Sequence, residues 1–331
     1  MPDIWTHIIA GQETAAKLDN PFWQQQIEKH KDVYRLGCQG PDFFYYHNFW
    51  PWLKDKSGDF YGNAIHKEKC GQFYQEIIKY VKKIDNPIER NIIIVYLMGL
   101  ITHWTVDRST HPYIYYIAGI EKHNQVPIGS HKLIEASIDT ILAHKKLNLD
   151  TRKAPLSSYL YVGEHLPEII IDMYISVLTK LYLVNAPRLP TPELIDKSYR
   201  DMIKAVKLFH DPYSLKLIIF KVFDFVTKRK INSSAYIYRS FDELKKDYLN
   251  ENHNKWCHPC SKTECYNYSF WDLLDTACSD ACNLISFSVD YLEHDNYRHP
   301  IEDIFPDVSF DTGKNTKDKR PLQYSQPLNV K

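Results

Sequence analysis

Apolar residues return along this chain with the spacing of α-helices. They recur every three or four residues in the segments 77–84, 133–142 and 215–223, which predicts a helix in each. The segment 167–183 is apolar on most faces, which predicts a helix in the centre of a bundle. Alternation with period two is nearly absent, and the chain has only 11 glycines. The pattern therefore predicts a mainly α protein with about ten helices joined by short loops.

Prolines and polar stretches divide the chain. A polar stretch over 146–158 predicts a soft boundary: we expect residues 1–150 to hold the chemistry and residues 151–306 to add helices packed on the same domain. Residues 307–331 have the composition of a poorly ordered tail. The prolines between periodic segments mark places where helices begin or end; they are Pro87, Pro112, Pro127, Pro155, Pro187, Pro190, Pro192 and Pro212.

Composition narrows the functional classes. Apolar residues make up 44% of the chain and charged residues 25%, which is typical of a soluble globular protein. Basic and acidic residues number 41 each, so we expect no stable nucleic-acid partner. The start of the chain lacks a basic signal region, and no run approaches the roughly 20 apolar residues that span a bilayer. Seven cysteines suit reduced thiols. We expect a cytoplasmic protein without a transmembrane segment, and no pattern indicates its oligomeric state.

The strongest local signal for chemistry is a run of three residues at four-residue spacing. His103, Asp107 and His111 follow one another at this interval, just before Pro112. Successive members differ by only about 40° around a helix, so their side chains point the same way. Pro112 predicts that the helix ends directly after His111.

A second pair repeats this geometry. His131 and Glu135 stand four residues apart, and two facing helices of this kind can complete a metal coordination sphere. A lone helical histidine is more often an ordinary core or surface residue. Burial of Asp107 in apolar surroundings would be costly, and a metal, Arg108 or a hydrogen-bond network would each meet that cost. The spacing alone leaves all three explanations open.

Three further candidates stand upstream at irregular spacing. His7 lies near the start of the chain, and His66 follows a turn signal at Gly62. Asp42 follows Gly40 and Pro41, which favour a tight turn that presents the carboxylate rigidly.

The ordered set of these eight residues resembles the zinc-dependent phospholipase C family, which is related to fungal single-strand-specific zinc nucleases. The resemblance covers roughly residues 1–140 and implies a multi-helix bundle with clustered zinc ions. The helices after the boundary would then form a helical C-terminal extension.

The resemblance implies a role for each residue. His66, His103 and Asp107 correspond to ligands of one Zn²⁺, and His111, His131 and Glu135 to ligands of a second. His7 would hold a third ion, bridged to the first by Asp107. Asp42 corresponds to an aspartate that either ligates the first zinc or acts as general base.

The chain departs from the family pattern at two places. Secreted relatives chelate the third zinc with an amino-terminal tryptophan, whereas here Pro2, Met1 or Asp3 would fill that role. The aromatic residue after the loop aspartate helps to form a choline pocket, and Phe43 stands there. Its partner aromatic is replaced by Asn63, which argues against a preference for choline.

The implied function is hydrolysis of a phosphate ester, with a small phosphate ester or a phospholipid head group as substrate. Zinc lowers the pKa of bound water toward about 7, which supplies a hydroxide nucleophile. Two rival functions remain: a nuclease or 3′-nucleotidase with the same metal site, and a non-catalytic helical metal-binding protein.

Two further clusters have ambiguous patterns. Cys257, Cys260 and Cys265 resemble half of a structural zinc site that Cys278 and Cys282 would complete. The latter two stand four apart in an apolar helical pattern, so we favour packing over a second metal site. Seven of the ten residues over 43–52 are aromatic. They fit either a pocket wall beside Asp42 or a core-lining segment, and we favour the core.

Overall fold

The computed structural model describes residues 3–120, 126–227, 232–294 and 300–328, and these residues are mainly helical, as predicted. Short 3-10 helices cover Gly40–Tyr46, Leu183–Asn185, Ser233–Tyr236 and Phe241–Glu243. The α-helices are α1 (Ile4–Lys17), α2 (Pro21–Lys29), α3 (Lys31–Gly37), α4 (Ser57–Lys67), α5 (Cys70–Val81), α6 (Pro87–Ala118), α7 (Ser130–Leu147), α8 (Leu156–Leu160), α9 (Glu168–Tyr182), α10 (Pro192–Phe209), α11 (Leu215–Val226), α12 (Phe270–Glu293) and α13 (Ile301–Ile304).

A two-stranded sheet carries a disulfide. The strands β1 (Trp256–Cys257) and β2 (Cys265–Tyr266) pair antiparallel, with Cys257 directly opposite Cys265. These two cysteines form a disulfide, so the expectation of reduced thiols is wrong for this pair. Directly opposite positions bring the two Cβ atoms close together, and both thiols are used in the bond rather than as zinc ligands.

Helix α6 forms the axis of the fold. Its 32 residues span about 48 Å. It starts at Pro87, whose missing N–H costs nothing at the first helical position, and the Asn86 side chain accepts from the Ile88 N–H. It packs against α12, α3, α1 and α7, and its second half is almost entirely buried. Histidines on this half therefore lie in the protein interior.

The predicted helix end at Pro112 is wrong, because α6 continues to Ala118. A proline inside a helix removes the bond to the carbonyl four residues earlier, here that of Arg108. Gly313 covers this carbonyl so closely that a Cβ at Gly313 would lie 2.3 Å from its oxygen. Tertiary packing around the buried helix outweighs the local rule for proline.

Two glycines let α3 approach α6 very closely. A Cβ added at Gly37 would lie 2.4 Å from the carbonyl oxygen of Tyr96, and one at Gly99 would lie 2.5 Å from that of Tyr34. This contact places the turn that follows α3 beside the next turn of α6. Asp42 follows the first of these turns, and His103 lies on the second.

Helix α9 confirms the predicted helix over 167–183 but not its place in the centre of a bundle. Ile170, Met173, Tyr174, Val177 and Leu178 are buried on one face. The polar residues at positions 168, 172, 176 and 180 recur every four residues and are exposed. This polar stripe makes the helix amphipathic, so it lies at the surface of the core.

One hydrophobic core contains residues from Ile4 to Phe310. The predicted boundary over 146–158 stays a prediction. Within the described residues, no helix combines the length and hydrophobicity that crossing a bilayer requires.

The tail expected to be poorly ordered is instead attached along its described length. The Asp307 carboxylate accepts from the Gly71 N–H at 2.9 Å, at the start of α5. The N–H groups of Gln326 and Leu328 donate to carbonyls at the end of α6, both at 2.8 Å. Backbone hydrogen bonds thus hold a segment whose polar composition suggested disorder. Residues 329–331 lie outside the described residues.

Candidate metal centre

The eight predicted site residues all come together, and seven of them form two groups. Within each group, the potential ligand atoms lie within 4.8 Å of one another. The first group is Asp42, His66, His103 and Asp107, and the second is His111, His131 and Glu135. His7 joins the first group through Asp107.

Asp107 lies at the centre of the first group. One of its carboxylate oxygens is 3.3 Å from His7 Nε2, and the other is 3.2 Å from His103 Nε2 and 3.7 Å from His66 Nε2. Burial alone would raise the pKa of this carboxyl, but the His103 and His111 imidazoles lower it well below its ordinary value. Asp107 is therefore a buried carboxylate that faces three imidazoles.

The 3-10 helix Gly40–Tyr46 presents Asp42 to the same point. Asp42 Oδ1 is 3.1 Å from His66 Nε2 and 3.6 Å from His103 Nε2. The Asp42 side chain is 14% exposed, whereas those of His66, His103 and Asp107 are at most 1% exposed. Among the four residues of the first group, Asp42 is the one that solvent reaches.

Gly40 is required at this turn for two reasons. Its φ is +58°, a left-handed conformation that residues with a Cβ rarely adopt. A Cβ at Gly40 would also lie 2.1 Å from the His103 ring. The glycine therefore lets the backbone lie against a histidine of the first group.

We expect Gly40→Ala to displace His103 and to weaken metal binding in the first group by at least about tenfold. Titration of zinc into protein from which a chelator has removed the metal measures this affinity. Gly163→Ala is the matched control, because Gly163 also has positive φ and a Cβ there would come no closer than 3.4 Å to another atom. Equal zinc affinity in the two variants would contradict the role assigned to Gly40.

Three histidines are held in the same orientation by backbone carbonyls. The Nδ1–H of His66 donates to the Gly62 carbonyl at 2.6 Å. The Nδ1–H of His103 donates to the Cys38 carbonyl at 3.1 Å, and that of His111 donates to the Phe310 carbonyl at 3.0 Å. A neutral imidazole that donates from Nδ1 carries its lone pair on Nε2. All three rings thus turn a lone pair toward the carboxylates, the orientation that metal-ligating histidines show when a carbonyl holds them from behind.

His7 reaches the centre from α1, and Asp139 of α7 fixes the start of that helix. The Asp139 carboxylate accepts from the N–H groups of Trp5 and Thr6 at 2.7 and 2.8 Å. The His7 ring stacks on that of His103, with ring centroids 4.2 Å apart. The position of His7 is therefore defined by the buried Asp139 carboxylate, and the spacing of His7 in the sequence does not reveal it.

The second group joins the end of α6 to the start of α7. His131 Nε2 is 2.8 Å from Glu135 Oε1. Burial would raise the pKa of Glu135, but His131 and Lys132 help to bring it well below its ordinary value. Burial lowers the pKa of His111 to about 4. His111 is therefore neutral at pH 7, as a metal ligand must be.

The donor atoms fit metal ions. Among the described residues, the following buried atoms have no hydrogen-bond partner: both ring nitrogens of His7, Asp42 Oδ1, Nε2 of His66, His103 and His111, and both carboxylate oxygens of Asp107. Buried polar atoms are rarely left this way. A proton or a metal cation between an imidazole lone pair and a carboxylate oxygen would satisfy both, and a set of nitrogen and oxygen donors suits Zn²⁺.

The C-terminal segment completes the centre, which the sequence did not indicate. The Phe310 N–H donates to the His66 carbonyl at 3.1 Å, while its own carbonyl accepts from His111. The Phe310 ring packs against His66, with centroids 4.6 Å apart. The expectation that everything catalytic precedes residue 150 therefore misses a residue that orients one histidine from each group.

A cavity of about 520 Å³ opens beside Asp42 and Glu135. The favoured core location of the aromatic run over 43–52 is only half right: Phe43 and Phe44 are buried in the core, whereas Tyr45, Tyr46, Phe49, Trp50 and Trp52 line this cavity. Lys132 also lines it and pairs with Asp3 at 2.8 Å. No motif had singled out Lys132, because a lysine beside His131 is an ordinary occurrence in sequence.

Two expectations drawn from the resemblance need correction. Phe43 is fully buried and stacks on Phe44, so it does not form the wall of a choline pocket. Asp3, one of three candidates for holding the third metal, instead caps α1 and pairs with Lys132. Met1 and Pro2, the remaining candidates for that role, lie outside the described residues.

Comparison with known families gives one match. The family model described as zinc dependent phospholipase C matches residues 6–187, which are 182 of the 331 residues. The matched segment contains every histidine and carboxylate of the two groups. Comparisons with curated proteins and with solved structures found no significant match.

Proposed function

The chain belongs to the zinc-dependent phospholipase C family, and from this premise we propose that it hydrolyses phosphate esters of the phospholipid type. The observation that carries the proposal is the convergence of buried imidazole and carboxylate atoms that lack hydrogen-bond partners. Asp42 of the first group and Glu135 of the second line a cavity large enough for a head group.

The proposed ligand sets follow the two groups. His66, His103 and Asp107 would hold one zinc ion. A second ion would be held by His111, His131 and Glu135. For a third ion, His7 and the facing oxygen of Asp107 are suitable donors, because they lie 3.3 Å apart.

Bound zinc supplies Lewis acidity, which activates water and neutralises charge on the phosphoryl oxygens. Asp42 is placed to take a proton from the attacking water, since it borders both the first group and the cavity. Lys132 carries a positive charge to the cavity wall. Burial would lower its pKa, but Asp3 and Glu135 raise it well above the ordinary value. A lysine held in this way can bind a phosphate oxygen.

We expect Asp42→Asn to lower kcat by at least about 100-fold, because the amide cannot accept the proton. The zinc content should be largely retained, because the proposed ligands His66, His103 and Asp107 are unchanged. Turnover of a chromogenic phosphodiester, together with elemental analysis of the same samples, measures both quantities. Asp32→Asn on α3 is the control, because that carboxylate is exposed.

Unchanged turnover in Asp42→Asn would refute the role of Asp42. Loss of zinc in parallel with activity would identify Asp42 as a ligand first and a base second. Either result leaves the two metal groups to be judged by their own variants.

A nucleotide or single-stranded nucleic acid is the second candidate substrate. The Trp50 and Trp52 rings stack 4.8 Å apart beside the cavity, and aromatic rings of this kind also hold bases. A panel of phospholipids, 3′-nucleotides and single-stranded DNA separates the two. A higher kcat/KM on the nucleotides would replace the phospholipid proposal.

The cytoplasmic location stays a prediction. The disulfide between Cys257 and Cys265 is more typical of an oxidising compartment. Thiol labelling of the native protein taken directly from cells would decide between the two: five reactive thiols after denaturation indicate the disulfide, and seven indicate the cytoplasmic expectation.

A further inference from the structure

Helix α11 leaves most of its apolar side chains uncovered. Of its 12 residues, only Leu217 and Asp224 are buried. Ile219 is 64% exposed and Phe225 is 81% exposed. Others with large exposed fractions are Leu215, Ile218, Val222, Phe223 and Val226. Apolar side chains clustered on one surface element mark a surface that binds something.

The exposed residues form one continuous face. At about 100° per residue, the seven side chains fall within an arc of roughly 160° around the helix. Leu217 and Asp224 lie near the centre of the opposite face, which the protein covers. An ordinary surface helix turns its apolar face toward the core, whereas this helix turns its apolar face outward.

This face is continuous with the lining of the cavity beside Asp42, because Phe223 belongs to both. Phe220 and Phe223 of α11 line the cavity that also contains Asp42 and Glu135. Trp52 lines another part of the same cavity and is 68% exposed. A surface that covered α11 would therefore also lie against the cavity that contains Asp42.

The charges around α11 are arranged for an anionic surface. The carboxylates of Asp211 and Asp224 are buried. Asp211 accepts from the Leu217 N–H and Asp224 accepts from the Ser233 N–H, both at 2.7 Å. Lys207 and Lys221 are exposed. In the sequence, Lys228, Arg229 and Lys230 follow Thr227, the residue after the helix. Acidic groups thus turn inward, while the neighbouring sequence is basic.

We propose that α11 and the Trp50–Trp52 loop form a membrane-docking face that lies in the surface of an anionic phospholipid bilayer. The proposal rests on the phospholipase C-type function above and adds how the substrate is reached. An apolar face flanked by basic residues is the pattern of helices that lie in the interface plane of a bilayer. In this arrangement a head group enters the cavity from the membrane.

Vesicle binding tests the proposal without relying on catalysis. The zinc-loaded full chain is mixed with vesicles of phosphatidylcholine and phosphatidylserine, and the bound fraction is measured by flotation. The double variant Ile219→Asp/Val222→Asp is expected to bind at least about tenfold more weakly than the wild type. Val184→Asp is the control, because Val184 is 96% exposed and does not line the cavity.

Turnover of a soluble short-chain phosphodiester is measured on the same proteins. The wild type, the double variant and the control should agree within about twofold, because neither Ile219 nor Val222 lines the cavity. Binding of the wild type to vesicles without soluble turnover would support docking and refute the proposed function. Soluble turnover without vesicle binding would overturn docking and leave the function standing.

Two further results would overturn the docking face. Vesicle binding by the double variant as tight as that of the wild type would place the contact elsewhere. In sedimentation equilibrium, a wild-type dimer that the double variant dissociates, with no vesicle binding by either protein, would also contradict docking. That outcome would assign α11 to an interface between two copies of the chain.

Discussion

Replacing Asp107 with asparagine is expected to cost more zinc and more activity than any other single substitution in the centre. Its two oxygens face His7 on one side and His66 and His103 on the other. The amide keeps the shape but removes the negative charge that offsets the cations. Loss of an outer partner of a ligand already costs 10–100-fold in metal affinity or activity, so we expect more than about 100-fold here.

Elemental analysis and turnover of a chromogenic phosphodiester measure both effects. Asp280→Asn is a suitable control, because Asp280 is an exposed carboxylate that pairs with Arg108, the neighbour of Asp107 in the sequence. An Asp107→Asn variant with full zinc content and wild-type turnover would refute the central place given to this residue. Circular dichroism would establish that the variant is folded.

Chelation is expected to lower the thermal stability strongly. Each ion present at a thousandfold excess over its Kd stabilises the folded state by about 4 kcal/mol. Without ions, the buried lone pairs of His66, His103 and His111 face carboxylate oxygens with nothing between them. For two ions, we expect the melting temperature to fall by about 10 °C or more.

Calorimetry with and without a chelator measures this shift, and adding zinc back should reverse it. Asp107→Asn supplies an internal comparison, because its first group is already impaired and its own shift on chelation should be smaller. A melting temperature that is the same in both conditions would show that the two groups are satisfied without metal.

The sequence predicted the candidate site best where its residues lie close together on one helix. Four-residue spacing placed His103, Asp107 and His111 on one face of one helix, and the structure brings them together. The same rule paired His131 with Glu135. Helical periodicity is a property of neighbouring residues, so no knowledge of the tertiary fold was needed.

Residues at irregular spacing needed the resemblance to a family. Nothing local to His7 or His66 indicates that their rings lie beside Asp107. Their positions depend on anchors far away in the sequence: Asp139 fixes the start of α1, and Phe310 binds the backbone of His66. Such tertiary contacts produce no periodic pattern in the sequence.

The wrong predictions share a physical cause. Pro112 does not end α6, and the polar tail is not loose, because burial and long-range hydrogen bonds outweigh local preference at both places. Phe43 turns into the core while Tyr45 and Tyr46 line the cavity. Which side chains of an aromatic run face a pocket depends on the backbone of a 3-10 helix, and the run itself does not encode this.

Whether the two groups hold metal is decided by the number of zinc ions bound to each chain. The protein, purified without chelators, is measured by native mass spectrometry and by elemental analysis. Two groups of convergent donors, with His7 beside the first, predict two or three zinc ions in each chain. A value near zero in folded protein, unchanged after zinc is added, would contradict the metal centre and the hydrolysis that depends on it.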